Sequence, residues 1–387
     1  MNEFQIENGV LKKYLGRARE IIVPDGVTEI GIAAFSRLKY TVSVYVPDSV
    51  KRIRKQAFSH CNYLEKVRLP KGLKRLEEHL FDESIALKEV ILPEALEVID
   101  GYVFYGCETL EQIELPSCLR EIGPWAFYNC KSLKEVRIPA SITHISHRCF
   151  YGCERMTKVI FPEGVTEIGK CAFFYCDALT NIQFPEHLTH IDDWAFSGCI
   201  RLRKLEIPDA IERIGDGAFQ CCLQLTDVTL PDKDFVIGDH VFERCKALKM
   251  LRIPPNLKLP HAILGKNPQT MLFAPHLTLA EIPNGYQTAV FRAFVRERKA
   301  YTEEINETYT ALIRKERQKL YPVAVEDHAL LYFMLAEKMF SLEETEHFVE
   351  NLIERGDSEL TAIFLQYKHE LTKDGENDAF SRFELDF

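Results

Sequence analysis

The chain has 387 residues, enough for two or three domains, and 46% of them are hydrophobic, as is usual in a globular protein. The formal net charge of −10 argues against broad contact with nucleic acid or an anionic membrane, because both require a positively charged surface. No stretch approaches about 18 uninterrupted apolar residues, so the sequence predicts no membrane span.

The first nine residues, Met1 to Gly9, contain neither a basic start nor an apolar run of signal-peptide length. We therefore expect a cytoplasmic protein, or a secreted or surface protein if a leader has been removed. Within this segment, Asn8-Gly9 is typical of a two-residue hairpin turn. Residues 1–23 are accordingly predicted to form an N-terminal hairpin cap, which would shield the end of the array that follows.

Eleven prolines then recur at an unbroken spacing of 23 residues. They are Pro24, Pro47, Pro70, Pro93, Pro116, Pro139, Pro162, Pro185, Pro208, Pro231 and Pro254. A fixed period of this length indicates a solenoid built from stacked coils. The ten complete repeats contain no insertion, so residues 24–255 are predicted to form one regular array.

Positions within a repeat are counted here from its proline as zero. Position +11 is phenylalanine in all ten repeats, which predicts a continuous column of rings in the core. The apolar residues at +20 and +22 alternate as in a short half-buried strand that ends at the next proline. Positions +3 and +6 predict a second extended segment, and the Ala-Phe-x-x-Cys stretch at +10 to +14 is interpreted as a brief helical turn.

The pattern resembles that of BspA-like leucine-rich repeats over about residues 1–255. Two copies carry the resemblance most clearly, Val165 to Phe173 (VTEIGKCAF) and Leu119 to Phe127 (LREIGPWAF). It implies an α+β repeat fold, a right-handed leucine-rich-repeat solenoid of 23-residue coils with short parallel strands. The family includes bacterial surface proteins that bind host or partner-cell proteins, and those members carry export signals.

The period stops after Pro254-Pro255, and residues 256–387 are predicted to form an α-helical C-terminal domain. Beyond residue 284, apolar residues recur at helical spacing. Pro322 is expected to open one helix. Ser341 begins a capping box, and Gly356 is expected to end the helix that follows.

Eight of the twelve cysteines share position +14. They are Cys61, Cys107, Cys130, Cys153, Cys176, Cys199, Cys222 and Cys245. Their side chains are expected to point into the core in parallel, which is poor disulfide geometry, so we interpret them as inert reduced core residues. We predict no cofactor for this chain.

Histidine pairs at His144/His147 and His187/His190 have a spacing found in zinc sites, yet His144 and His190 should lie two coils apart, too far to share one zinc. We therefore predict no metal site. No phosphate-binding loop, nucleophile elbow or zincin helix occurs, and we predict no catalytic residues and no enzymatic activity. The basic run between Arg292 and Lys319 is mixed with glutamates, so it is interpreted as a solvated face and not a nucleic-acid site.

The central repeats differ from the others at the outward positions +9, +12 and +13, where aromatic residues replace polar ones. The candidate binding residues are Tyr102, Tyr105, Trp125, Tyr128, Tyr151, Phe174, Tyr175 and Trp194. Stacked coil on coil, they predict one aromatic ridge, and large exposed apolar patches usually mark interaction sites. The alternative is that these rings pack flat on neighbouring coils and serve only stability.

The sequence therefore favours a non-catalytic protein that binds or scaffolds a protein partner through this ridge, through the outward strand positions, or through both. The alternatives are recognition of carbohydrate by the ridge and an adhesin-type surface role. The sequence leaves the partner, the oligomeric state and the role of the helical region open.

Overall fold

A computed structural model of the protein describes residues 3–260, 262–265, 267, 269–274 and 282–373. The chain divides into two compact units, Met1–Thr270 and Met271–Phe387. The predicted boundaries after residues 23 and 255 stay predictions. Residues 275–281 and 374–387, which belong to the predicted C-terminal domain, lie outside the described residues.

The first unit begins with an antiparallel hairpin of strands β1 (Phe4–Glu7) and β2 (Val10–Tyr14). Asn8 and Gly9 turn the chain between them, both with positive φ, as the Asn-Gly pair predicted. Strand β2 then pairs in parallel with the first coil, Val10 opposite Glu29 and Leu11 opposite Ile30. The hairpin thus joins the ladder of the solenoid at its N-terminal end.

The coils contribute two kinds of short strand. The three-residue strands lie two to four residues before a proline: Glu20–Ile22, Ser43–Tyr45, Lys66–Arg68, Glu89–Ile91, Glu135–Arg137, Lys158–Ile160, Lys204–Glu206, Asp227–Thr229 and Met250–Arg252. The two-residue strands lie at +5 and +6: Glu29–Ile30, Arg52–Ile53, Arg75–Leu76, Val98–Ile99, Glu121–Ile122, His144–Ile145, Glu167–Ile168, His190–Ile191, Arg213–Ile214 and Val236–Ile237.

Both kinds of strand pair in parallel with the same positions of the next coil. Glu135 lies opposite Lys158, for example, and Ile168 lies opposite Ile191. The register therefore advances by 23 residues per coil, and side chains at equal positions form columns along the solenoid. The predicted fold class, a leucine-rich-repeat solenoid of 23-residue coils with short parallel strands followed by a helical region, is confirmed.

The turn at +9 to +13 differs from the brief helical turn expected from the sequence. Every residue at +9 and +13 has a positive φ, including bulky ones such as Trp125 (φ 59°) and Tyr175 (φ 56°). The turn instead forms a third ladder, in which the amide of Phe35 donates to the carbonyl of Ala57 at 2.8 Å, and that of Arg37 to Ser59 at 2.9 Å. Hydrogen bonds to the next coil thus hold a conformation that non-glycine residues rarely adopt.

The core of the first unit is the phenylalanine column at +11. All ten rings are buried, and successive centroids from Phe35 to Phe242 lie 5.1–6.1 Å apart with the ring planes within 14° of parallel. Tyr14 of β2 extends the column with its ring 5.8 Å from that of Phe35, and Phe4 lies 5.0 Å beyond it. Neighbouring coils therefore bury a face that no single repeat could bury alone.

Among its described residues, the second unit contains a strand, Met271–Phe273, and five α-helices. They are α1 (Gln287–Arg296), α2 (Glu303–Glu326), α3 (His328–Ala336), α4 (Leu342–Arg355) and α5 (Ser358–Lys373), with 3₁₀ turns at Asn284–Tyr286 and Arg298–Ala300. The capping box at Ser341 is present, and Gly356 ends α4 in the left-handed conformation, as predicted.

Pro322 does not open a helix, because it lies inside the long α2. The break comes at Asp327, whose carboxylate accepts a hydrogen bond from the amide of Leu330 and begins α3. Burial alone would raise the pKa of Asp327, but hydrogen bonds from Arg296 and Arg292 outweigh it and hold the pKa below its ordinary value. A buried charged cap, not the proline, therefore divides the two helices.

Candidate functional site

The aromatic residues of the central coils form two neighbouring columns, one at +9 and one at +12. The turn places both side chains on the outer edge, since the buried Phe at +11 and Cys at +14 occupy the inner side. Backbone hydrogen bonds join this turn to the same turn of the next coil, as from the amide of Trp125 to the carbonyl of His147 at 3.2 Å, so rings at one position stack along the solenoid. The ladder in the turn therefore organises these rings.

The +12 column is an uninterrupted stack of four rings. Tyr105 lies 4.7 Å from Tyr128, Tyr128 lies 4.6 Å from Tyr151, and Tyr151 lies 4.9 Å from Phe174, all with nearly parallel planes. All four rings are partly exposed. Burial raises the pKa of Tyr105 and Tyr151, and neighbouring tyrosines add to the effect, so these hydroxyls stay protonated at neutral pH.

The +9 column combines aromatic rings with a cation. Tyr102 stacks on Trp125 at 5.6 Å, and the guanidinium of Arg148 lies 4.5 Å from the indole centroid of Trp125. Trp125 also contacts Tyr128 of the other column, with ring centroids 5.0 Å apart. The two columns thus merge into one surface over four coils.

Tyr175 closes this surface at its far end. Its ring meets Phe174 edge to face at 4.3 Å and is 49% exposed. It also lies over Gly198 of the next coil, where an added Cβ would come within 2.3 Å of its Cδ1 atom. Seven of the eight candidate residues are therefore brought together, and we call this set the aromatic edge: Tyr102, Tyr105, Trp125, Tyr128, Tyr151, Phe174 and Tyr175.

Trp194 lies apart from the aromatic edge. Arg148 and Cys171 occupy +9 in the two coils between Trp125 and Trp194, and within the described residues Trp194 contacts no other aromatic ring. Its indole instead covers Gly217, and the ammonium of Lys170 lies 4.7 Å from its centroid.

Two residues of the same surface were not among the sequence candidates. The imidazole of His79 stacks on Tyr102 at 4.6 Å, and its Nδ1 atom lies 3.0 Å from the carboxylate of Asp82. Arg148 covers Trp125. Both residues occupy position +9. Examining every residue at +9, and not the aromatic ones alone, would have identified them from the sequence. The aromatic edge therefore has a charged or polar group at either end of its +9 column.

The cysteine column is part of the core. All eight +14 thiols are free and fully buried, and each donates to the carbonyl of the phenylalanine 26 residues earlier, as from Cys61 to Phe35 at 3.1 Å and from Cys176 to Phe150 at 3.3 Å. Burial raises the pKa of Cys61 to about 11. Such thiols are poor nucleophiles and poor metal ligands, because both roles require the thiolate.

The histidine pairs are separated as the repeat predicts. Glu167 lies between His144 and His190 in the ladder of short strands. Over the part of the chain that the structure describes, no three histidine, cysteine or acidic side chains come together as a metal site.

Comparisons with known proteins point to one family. A model of the BspA-type leucine-rich-repeat region, in six copies, matches residues 5–132, 78–199 and 143–260. A solved leucine-rich-repeat protein from Bacteroides ovatus is similar with 24% identity and a TM-score of 0.54, covering 70% of this chain and 88% of that chain. This likeness shows the fold alone.

Two further solved structures align with lower similarity. A leucine-rich cell surface protein from Faecalibacterium prausnitzii has 22% identity and a TM-score of 0.34, covering 66% of this chain and 92% of that one. The pneumococcal vaccine antigen PcpA has 17% identity and a TM-score of 0.41, covering 71% and 93%. Curated proteins give no match. Among the described helices, none has the length and apolar character needed to cross a membrane.

Proposed function

Because the chain belongs to the BspA-type leucine-rich-repeat family, we propose that it is a non-catalytic protein that binds a protein partner through the aromatic edge. One observation carries the proposal: seven aromatic side chains from four successive coils form one partly exposed surface on a chain whose other turns are mostly polar. Tyrosine and tryptophan are favoured anchors at protein interfaces, since they combine a large apolar area with a polar tip.

The geometry favours a protein over a carbohydrate. Sugars commonly stack on open ring faces, but in the +12 column the faces of Tyr128 and Tyr151 are covered by their neighbours at 4.6–4.9 Å. Arg148 covers the indole of Trp125 in the same way. Ring edges and tyrosine hydroxyls remain for contact, and these suit the mixed polar and apolar surface of a protein.

Cytoplasmic localisation is also part of the proposal. All twelve cysteines are free, including the exposed Cys118 and the partly exposed Cys221. Free thiols persist in reducing compartments, whereas oxidising ones favour disulfides. Fractionation of the native cell with an antibody to the protein tests this directly, and recovery in the surface fraction would support the adhesin-type alternative.

The aromatic edge is tested by replacing its two central rings with residues that other coils carry at the same positions. Trp125→Gln and Tyr128→Ser reproduce Gln56 at +9 and Ser59 at +12, so the turn is retained. We expect the double variant to lose the partners that the wild type captures from a native lysate. Its unfolding free energy should fall by only about 1–3 kcal/mol, the value of a few aromatic contacts.

The matched control is Tyr45→Ser plus Ile91→Ser, which removes two exposed apolar side chains from the strand face. It should keep the partners. If the control loses them and the aromatic-edge variant does not, the strand face is the docking surface and the proposal is wrong. A shift of Trp125 fluorescence by soluble glycans, with no captured protein, would instead favour carbohydrate recognition.

A further inference from the structure

A second surface of different chemistry lies at the first coils of the solenoid. Arg17, Tyr40 and Tyr63 stand 23 residues apart, as do Arg19, Val42 and Glu65, so each trio occupies one position in three successive turns. Together with Lys39 they line a depression of about 380 Å³, which we call the first-coil groove. With coils about 4.8 Å apart, the groove crosses roughly 10 Å of the solenoid.

The groove is positively charged. Arg17, Arg19 and Lys39 are exposed, and among the described residues none of the three forms an ion pair with a carboxylate. The acidic residue of the groove, Glu65, is already paired with Lys88 at 3.0 Å. Three cations therefore lie uncompensated in a chain whose net charge is −10.

Two exposed tyrosine rings lie beside these charges in the first-coil groove. Tyr40 and Tyr63 are 53% and 60% exposed, which places them among the most exposed large hydrophobic side chains of the solenoid. The guanidinium of Arg17 lies 5.6 Å from the ring centroid of Tyr40. A ligand in this groove would thus meet cations and tyrosine rings side by side, an arrangement that suits carboxylates interspersed with aromatic or apolar side chains.

We propose that the first-coil groove binds a short extended acidic segment of a partner protein. Carboxylates of the segment pair with Arg17, Arg19 and Lys39, and an intervening side chain packs against Tyr40 and Tyr63. A peptide fits better than a polyanion, because three cations beside Glu65 can pair with a few carboxylates. A sulfated glycan or nucleic acid carries a longer run of charge than the groove can pair, and the rest of this acidic chain repels the unpaired remainder.

The test is fluorescence anisotropy of the full chain with a labelled octapeptide of the sequence Glu-Glu-Tyr-Glu-Glu-Tyr-Glu-Glu, compared with the same peptide carrying glutamine for glutamate. We expect the acidic peptide to bind, the glutamine peptide to bind at least about fivefold more weakly, and the difference to shrink in high salt. Arg17→Gln plus Arg19→Gln should weaken the acidic peptide by about fivefold or more, the expected effect of two lost charge pairs.

The chain offers a matched control for this variant. Arg201 and Arg203 occupy the same two positions, +16 and +18, but the neighbouring coils carry Ala178 and Gln224 at +16 in place of tyrosine. Arg201→Gln plus Arg203→Gln changes the net charge equally and should leave binding unchanged. Tyr40→Ser plus Tyr63→Ser should weaken binding of the acidic peptide, and its circular dichroism spectrum should match that of the wild type, because both substitutions are at exposed positions.

Three outcomes overturn the proposal: no binding of the acidic peptide, equal weakening by both arginine pairs, or tighter binding of heparin than of the peptide. The last would show that the groove recognises an anionic glycan. Failure here is distinguishable from failure at the aromatic edge, because Trp125→Gln plus Tyr128→Ser should bind the acidic peptide as the wild type does.

Discussion

The cysteine at +14 supplies a hydrogen-bond donor as well as a small buried side chain. In this slot Ser84 replaces cysteine and donates to the carbonyl of Phe58 at 2.7 Å, as the thiols do in other coils. Leu38 occupies the slot in the first coil, which follows the hairpin and has no phenylalanine turn before it. A small donor is thus present wherever a buried carbonyl of the preceding coil can accept from it.

This burial predicts how the thiols react. At about pH 8, an aromatic disulfide reagent should modify at most two of the twelve thiols of the folded protein, the exposed Cys118 and the half-buried Cys221. All twelve should react in urea. A Cys118→Ser variant is the control and should lose the fastest phase. Rapid modification of a +14 thiol in the folded protein would contradict a closed core.

The buried thiols also predict how the stability of the folded protein changes with pH. Burial raises the pKa of Cys61 from its ordinary value of 9.0 to about 11, so the folded state favours the neutral thiol. This contribution to stability is fully present below the pKa of the unfolded chain and is lost as pH rises from about 9 to 11. Urea midpoints across this range should therefore fall less steeply for Cys61→Ser than for the wild type.

At the scale of the element, the turn illustrates which features the sequence could predict. The proline spacing predicts the coils, and three glycines and Asn129 at +13 signal a left-handed conformation there. At +9 the residues include Gln56, Trp125 and Arg148, and none of these residue types favours positive φ. Their conformation is imposed by hydrogen bonds to the next coil, which the sequence does not reveal. For the same reason the sequence predicted an aromatic ridge but not that Arg148 covers Trp125 and separates Trp194 from it.

Gly217 tests how tightly the +9 column is packed. A Cβ added there would lie 2.5 Å from Nε1 of Trp194, at a φ of +59°. We expect Gly217→Ala to lower the unfolding free energy by about 1–2 kcal/mol and to shift tryptophan emission, because the indole must move. Urea unfolding followed by fluorescence measures both effects.

Gly72 provides the matched control, since an added Cβ there meets nothing within 4 Å and its φ is not positive. Gly72→Ala should be neutral or slightly stabilising through a less flexible unfolded chain. In a Trp194→Gln background, Gly217→Ala should cost less than in the wild type. An unchanged cost would assign the effect to backbone strain and not to the indole contact.

At the scale of the molecule, the solenoid is built around one column of phenylalanine rings, and the hairpin covers the N-terminal end of this column. Within the described residues, each phenylalanine at +11 from Phe58 to Phe219 takes its aromatic contacts from the two adjoining coils. Stability in such an array is close to a sum of nearest-neighbour terms. The two proposed binding surfaces also depend on contacts between neighbouring coils. The aromatic edge and the first-coil groove each cross three or four coils, and the stacking of those coils forms the surface.

A cavity in the centre of the column should therefore weaken its neighbours more than distant coils. Phe127→Ala is expected to cost about 3–5 kcal/mol. In hydrogen exchange followed by mass spectrometry, the coils containing Phe104 and Phe150 should lose protection first. Tyr14→Ala is the control, because the Tyr14 ring packs against Phe35 at the end of the column, and it should expose only the first coils. Uniform loss of protection from Phe35 to Phe242 in both variants would mean that the solenoid opens as one cooperative unit, and the nearest-neighbour description would not hold.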